Sequence, residues 1–241
     1  MKTVVIGDIH GRSVWKLIVN MENPDRVIFI GDYFDSFDIK GTEQLDNFLD
    51  IIEYKKTSGK EVILLIGNHD HHYYPEIGES GISGYQKIYK FQIESVIDTN
   101  REHLQIAYQI DEFLFTHAGV SSEFMDQTFG PQGWEVETLV EQLNEMFIYR
   151  PGVFSFNGLE SYGDDTYQTP LWIRPRSLMK VNKNTLRNRF IQIVGHTHVN
   201  KLDLVGTQKA AGGRYYLIDT LGSTGEYLVI QDGELSVGQT R

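Results

Sequence analysis

The residues best able to do chemistry recur in one setting along this chain. Asp8-x-His10, Asp32, Asn68-His69, His117 and His196-x-His198 each follow a short apolar, β-branched run. Carboxylate, imidazole and amide donors of this kind suit manganese, iron or zinc. One shared carboxylate can hold two such ions about 3.5–4 Å apart. The chain has no cysteine, which excludes disulfides, zinc-thiolate sites, iron–sulfur clusters and a thiol nucleophile. Five of the eight histidines belong to these pieces, leaving His71, His72 and His103 outside them. A lone Asp-x-His or His-x-His is more often a turn or a satisfied polar pair. It is the shared position after strand-like runs that gives these pieces weight as a set.

The elements that must position them follow from hydrophobic patterning. Val4-Val5-Ile6, Val27-Ile28-Phe29-Ile30, Val62-Ile63-Leu64-Leu65-Ile66 and Ile191-Gln192-Ile193-Val194 each stop at a glycine followed by a polar residue. The first three read as buried strands. Helical spacing over 14–21 and 45–54 lies between them, so the first seventy residues predict β-α-β-α-β with parallel pairing. Open α/β sheets bind ligands beyond the carboxyl ends of their strands, where the polar residues stand. Residues 104–110 and 113–116 read as strands joined at Asp111-Glu112, the second ending at His117-Ala118-Gly119. Strand candidates at 202–205, 215–218, 227–230 and 234–237 suggest a second, mostly antiparallel sheet. Residues 73–101 and 121–188, which include an amphipathic stretch over 135–149, read as cap-like insertions over the site. No repeat, low-complexity tract or linker divides the chain, so residues 1–241 read as one domain.

Composition narrows the function classes. A chain of 241 residues, 40% hydrophobic and 23% charged, can bury a substantial core. A formal charge of −11 argues against general binding to duplex nucleic acid, which needs a basic surface. No apolar run is long enough to span a bilayer and no charged leader precedes the strand-like start, so the expectation is a cytoplasmic protein without membrane partners. Gly59-Lys60 lacks the remainder of a P-loop, and no Gly-x-Gly-x-x-Gly follows the first strand, which disfavours nucleotide motors and dinucleotide oxidoreductases. Ala211-Gly212-Gly213-Arg214 reads as a hairpin turn rather than a phosphate cradle. Asp70-His71-His72-Tyr73-Tyr74 reads as a polar loop after a strand, with a third metal site or a base-stacking surface as the less favoured readings. The aromatic residues of the insertions read chiefly as packing.

Gly7-Asp8-Ile9-His10-Gly11, Gly31-Asp32-Tyr33-Phe34-Asp35, Gly67-Asn68-His69-Asp70, Thr116-His117-Ala118-Gly119 and Gly195-His196-Thr197-His198 together resemble the ordered motifs of the calcineurin-like metallophosphoesterases. The resemblance runs through most of the chain and is specific, because five motifs occur in order. It implies an α/β fold, a four-layer αββα sandwich of two mixed sheets flanked by helices, with a two-metal site at one edge. Carried over by position, it implies that Asp8, His10, Asp32 and His198 hold one divalent ion, and that Asp32, Asn68, His117 and His196 hold the other. Asp32 would bridge them, with manganese favoured and iron, zinc or nickel acceptable. It further implies that hydroxide held between the ions attacks phosphorus, that His69 protonates the leaving alkoxide, and that Asp35 fixes the tautomer of His69.

Within that family, Thr116-His117-Ala118-Gly119 and Pro170-Leu171-Trp172-Ile173-Arg174 resemble the bacterial and phage phosphoprotein phosphatases, a branch that also includes diadenosine tetraphosphate hydrolases. That branch continues its second motif with Arg-Gly where this chain has Ser36-Phe37, which removes a phosphate-contacting arginine. His198 is a second departure and is typical of the wider superfamily. Arg174 is the leading replacement clamp, with Asn68 also facing substrate and Arg12, Arg176 and Arg214 as weaker candidates. The expected activity is hydrolysis of phosphomonoesters, on a phosphoprotein or a nucleotide-like small molecule. The alternatives are a phosphodiesterase, a dinucleoside polyphosphate hydrolase, or a scaffold that has lost turnover. Oligomeric state is not legible.

Overall fold

The computed structural model describes residues 1–78, 83–157, 165–181, 186, 189–204 and 215–240. Two mixed sheets lie face to face with helices on their outer faces, as the resemblance implied. In the larger sheet, β1 (Lys2–Ile6), β2 (Arg26–Phe29), β3 (Glu61–Leu65) and β4 (Leu104–Gln105) run parallel. On the other side of β1, β9 (Glu226–Gln231) and β10 (Glu234–Gln239) add antiparallel, giving the order β10-β9-β1-β2-β3-β4. The smaller sheet has the order β5-β6-β7-β8, from β5 (Ala107–Ile110), β6 (Phe113–Thr116), β7 (Ile191–Val194) and β8 (Tyr215–Leu217). Within it, β5 is antiparallel to β6, and β6, β7 and β8 are parallel.

Strand side chains alternate between faces, and that period builds two cores from one sheet. Val4, Ile6, Val27, Phe29, Val62 and Leu64 turn outward to meet Trp15 and Ile18 of α1 (Trp15–Glu22) and Phe48 and Ile51 of α2 (Gly41–Thr57). Val5, Ile28, Ile63, Leu65 and Leu228 turn inward to meet Phe113, Phe115 and Ile193 of the second sheet. A smaller cluster of Ala118, Ile173, Leu178 and Tyr215 packs α7 (Pro175–Val181) onto the outer face of that sheet. No helix among the described residues is long and apolar enough to cross a membrane.

Two expectations about the strands need correction. The run over 104–110 is not one strand. It breaks at Ile106, so that β4 joins the first sheet and β5 the second. Asn144 of α6 (Leu139–Tyr149) satisfies the break: its Oδ1 accepts from the amides of Ile106 and Ala107 at 3.0 and 3.1 Å, and its Nδ2 donates to the Ala107 carbonyl at 3.0 Å. The C-terminal strands do not make a separate antiparallel sheet either. β8 extends the second sheet in parallel, while the β9–β10 hairpin covers the otherwise open side of β1. Residues 202–204 are not strand. Residue 205 and the turn Ala211-Gly212-Gly213-Arg214 lie outside the described residues.

The short helix α3 (Asn68–His71) directly follows β3 and carries a buried histidine with a structural role. The ring of His71 lies against Tyr74 and Phe147, and its Nε2 donates to the carbonyl of Pro151 at 2.9 Å. Burial, only partly offset by that carbonyl, pushes its pKa from 6.5 down to about 4. The unfolded chain therefore binds this proton more readily, so the contribution is present above 6.5 and is lost as pH falls towards 4. Chemical denaturation across this window should show stability falling by up to about 3 kcal/mol from this group. The fall should be smaller in His71→Phe, and an unchanged slope in that variant would remove His71 as its source.

Candidate active site

Every sequence-predicted polar residue of the first three strands stands at a strand's carboxyl end. Asp8 and His10 follow β1, Asp32 and Asp35 follow β2, and Asn68 and His69 open the helix after β3. His117 follows β6, and His196 and His198 follow β7, so both sheets deliver residues to one edge of the sandwich. The turns are tight. A Cβ on Gly195 would lie 2.0 Å from Asp8 Oδ1, and one on Gly67 would lie 2.1 Å from Asp32 Oδ1. Only glycine lets the carboxylates come this close to the neighbouring loop.

The backbone is strained where the chemistry is. Among the described residues seven non-glycine residues have positive φ, and four of them are His10 (42°), Asp32 (53°), Asp35 (64°) and His196 (62°). Such conformations persist only where surrounding contacts enforce them. Asp70 supplies one set: its Oδ1 accepts from the amides of Tyr33 and Phe34 at 2.7 and 3.3 Å, and its Oδ2 from that of Gly67 at 2.9 Å. This fully buried carboxylate thus ties the loop after β2 to the loop after β3. Asp8 supplies another, its carboxylate accepting from the His196 amide at 3.0 and 3.2 Å.

Two donor groups meet at Asp32. The ligand atoms of Asp8, His10 and Asp32 lie within 4.8 Å of one another. On the other side, His117 Nε2 is 3.4 Å from Asp32 Oδ2 and 2.9 Å from Asn68 Oδ1, and His196 Nδ1 is 2.8 Å from that same amide oxygen. Backbone carbonyls set the tautomers: Phe34 accepts from His10 Nδ1 at 2.6 Å, Ile30 from His117 Nδ1 at 3.0 Å, and Trp172 from His196 Nε2 at 3.2 Å. In the neutral rings of His10 and His196 the remaining nitrogen then carries a lone pair aimed at oxygen atoms. Lone pairs facing lone pairs repel unless cations lie between them, so the residues fit divalent metal ions.

Electrostatics agree with that fit. Burial first, and then the charges of Asp219 and Asp32, push the carboxyl of Asp8 well above the usual carboxylate range. Burial also works against charge on Asp32, but His117 and His69 outweigh it and hold this carboxyl low. Burial lowers His10 and His196, and the latter is lowered further by His117 and Arg174, which keeps both rings neutral as metal ligation requires. Asp219 is a residue the sequence reading missed. It follows β8 directly, and burial raises its carboxyl while His10 and His198 pull it down. The same strand-end rule that found the other candidate residues would have found it, since 215–218 already reads as a strand.

The remaining predicted residues surround this centre. His69 donates from Nδ1 to Asp35 Oδ2 at 2.9 Å, and its amide donates to Asp32 Oδ1 at 2.9 Å. Arg174 Nη1 donates to the His196 carbonyl at 3.0 Å and the Thr197 hydroxyl at 3.1 Å, which fixes the guanidinium beside the second donor group. His198 is exposed and stands near enough to Asp219 to pull that carboxyl's pKa down. Arg12 lies against Gly222 and donates to the Ile9 carbonyl at 3.3 Å, Arg176 is exposed, and Arg214 lies outside the described residues. Ser36 is buried, its hydroxyl accepting from the amides of Asp38 and Ile39, and Phe37 is 79% exposed.

Comparison with known proteins bears on this arrangement. The profile of the family described as calcineurin-like phosphoesterase matches residues 1–200. None of the curated proteins matches the sequence. Among solved structures, the cold-active protein-tyrosine phosphatase of the psychrophile Shewanella sp. superposes with a TM-score of 0.67 at 18% identity, covering 99% of this chain and 77% of that one. A protein serine/threonine phosphatase from Saccharomyces cerevisiae, similar to human phosphatase PP5, gives 0.60 at 15% identity, covering 100% of this chain and 80% of that one. At these identities the two structures show a shared fold.

The site also determines a proton balance. Burial lowers the pKa of His69, but the nearby Asp32 and the hydrogen-bonded Asp35 outweigh it and push it from 6.5 up to about 9. Metal-free protein therefore holds a proton there between those values, and cations binding at Asp32 should weaken that hold, lowering the pKa of His69 without emptying it. Adding Mn2+ to metal-free protein in weak buffer within that window should release protons to an indicator dye. His69→Gln should release fewer, by the fraction of a proton that the lowered pKa sheds. Equal release from both proteins would place the proton elsewhere.

Proposed function

Because the chain belongs to the calcineurin-like phosphoesterase family, we propose that it is a phosphatase that hydrolyses phosphomonoesters with two divalent metal ions. The observation that carries this reading is the convergence of His117 and His196 on the amide oxygen of Asn68, beside the Asp8, His10 and Asp32 group. In this reading Asp8, His10, Asp32 and His198 hold one ion and Asp32, Asn68, His117 and His196 the other, with Asp32 shared and manganese favoured. The ions, when bound, supply Lewis-acid polarisation of the phosphoryl oxygens and lower the pKa of water.

The chain's own residues supply the rest. Asp35 accepts from His69 Nδ1, which leaves Nε2 to carry the proton given to the departing alkoxide. Arg174, anchored beside His196, is placed to meet the phosphoryl oxygens and takes the part of the arginine that Ser36-Phe37 lacks. In this reading the segments 73–101 and 121–188 are insertions in a single domain that select the leaving group. The phosphatases named among the structural neighbours favour a phosphoprotein substrate, with a nucleotide-like small molecule as the alternative. The protein acts in the cytoplasm.

Initial rates on p-nitrophenyl phosphate and bis-p-nitrophenyl phosphate, with Mn2+ added to or withheld from metal-stripped protein, test the reading. Metal-dependent hydrolysis of the monoester is expected, and preference for the diester would replace the phosphatase reading with a phosphodiesterase one. Asp32→Ala should lose bound metal and turnover together. His69→Ala should keep metal and lose about 10²–10⁴ in turnover on a poor leaving group. Arg174→Ala should raise KM or lower kcat roughly ten- to a hundredfold, the value of a hydrogen bond to a charged group.

A further inference from the structure

His72 is a fully buried histidine immediately beyond α3 that no step described so far uses. Its ring stands edge-on to Tyr73 at 4.3 Å and to Tyr85 at 5.2 Å, and those two rings are stacked on each other at 5.1 Å. An aromatic hydrocarbon would pack in that place equally well. Its Nε2, however, is 2.9 Å from Asp35 Oδ2, the same oxygen that accepts from His69 Nδ1 at 2.9 Å. Neither ring nitrogen of His72 has a hydrogen-bond partner among the described residues, so the 2.9 Å approach to Asp35 is a close contact without hydrogen-bond alignment. His69 takes the aligned position on that oxygen.

The other carboxylate oxygen is fixed separately. The Tyr73 hydroxyl donates to Asp35 Oδ1 at 2.6 Å and accepts from the Gln86 amide at 2.7 Å. Asp35 is thereby held at both oxygens, on a backbone at φ 64°. The rings of His10, His69 and His72 follow one another in edge-on steps of 5.3 and 6.0 Å, which sets His69 between a metal-site ring and its buttress. We propose that His72 is a positioning residue for leaving-group protonation: by holding Asp35 Oδ2 from beside His69, it keeps the carboxylate in the plane in which His69 must lie to present its other nitrogen to the substrate. This rests on His69 being the general acid.

The test compares kcat on phenyl phosphate, a poor leaving group, with kcat on p-nitrophenyl phosphate, a good one, in the metal-loaded enzyme. Loss of packing alone slows both substrates alike, whereas a misplaced acid slows the poor leaving group more. His72→Leu should lower kcat on phenyl phosphate about tenfold more than on p-nitrophenyl phosphate, with metal content and KM kept. His72→Gln, which retains an N–H donor in reach of Asp35, should bring the ratio back towards that of the native protein. Should the leucine variant fail to fold, His72→Phe, which fills the space of the ring, carries the same expectation. Equal losses on the two substrates in these variants would overturn the proposal. His69→Ala separates the two layers of the argument. If it skews the ratio and the His72 variants do not, the buttress falls alone; if His69→Ala leaves the ratio flat, the general acid and the buttress fall together.

Discussion

Repulsion among buried carboxylates governs this structure. Asp8, Asp32 and Asp219 sit at the ends of three strands, close enough that each raises the cost of charge on its neighbours. In a low-dielectric edge such a group persists only with positive charge nearby or with protons retained. The protein answers unequally: Asp32 is surrounded by imidazoles and stays ionised, while Asp8 and Asp219 are pushed towards the protonated form. The neutral His10 and His196 and the carbonyl-set tautomers belong to the same answer, because they leave lone pairs rather than protons facing the centre. Cations there would relieve an unfavourable arrangement that the polypeptide alone holds in place.

Holding it requires rigid surroundings. The positive φ angles of His10, Asp32, Asp35 and His196 are each unfavourable, and they are imposed by tight glycine approaches and by the amides bound to Asp8 and Asp70. The two cores, one between the sheets and one beneath α1 and α2, supply the stiffness against which those turns are bent. Chemistry is thus concentrated in loops while the force that shapes the loops comes from strands and helices that touch no substrate.

Much of this is visible in the residues before any coordinates. The unbroken apolar runs Val4-Val5-Ile6 and Val27-Ile28-Phe29-Ile30 announce strands buried on both faces, and a polar residue after the following glycine announces the site. What could not be read depends on contacts distant in sequence. The break at Ile106 is invisible because residues 104–110 form an unremarkable apolar run, and the side chain that stabilises the break is Asn144. The fate of β9 and β10 depends on the free side of β1, which no local pattern reveals. Asp35 and His72 meet because α3 turns back towards the loop after β2, a fact of packing rather than of spacing. Asp219 differs from these. It was legible by the same rule as its neighbours, but without a histidine beside it the strand-end carboxylate drew no notice.

The contact between the His196 amide and the Asp8 carboxylate spans 188 residues of chain. During synthesis the amino-terminal portion emerges first. A nascent chain ending before β6 presents Asp8, His10, Asp32 and Asn68 but neither His117 nor His196, and it lacks β9 beside β1. Such a fragment has the imidazole of His10 beside its acidic groups, yet lacks the His117 and His196 pair that converges on Asn68. The second donor group is therefore assembled only once the carboxyl-terminal half has docked, and a chain released early would carry the first group alone.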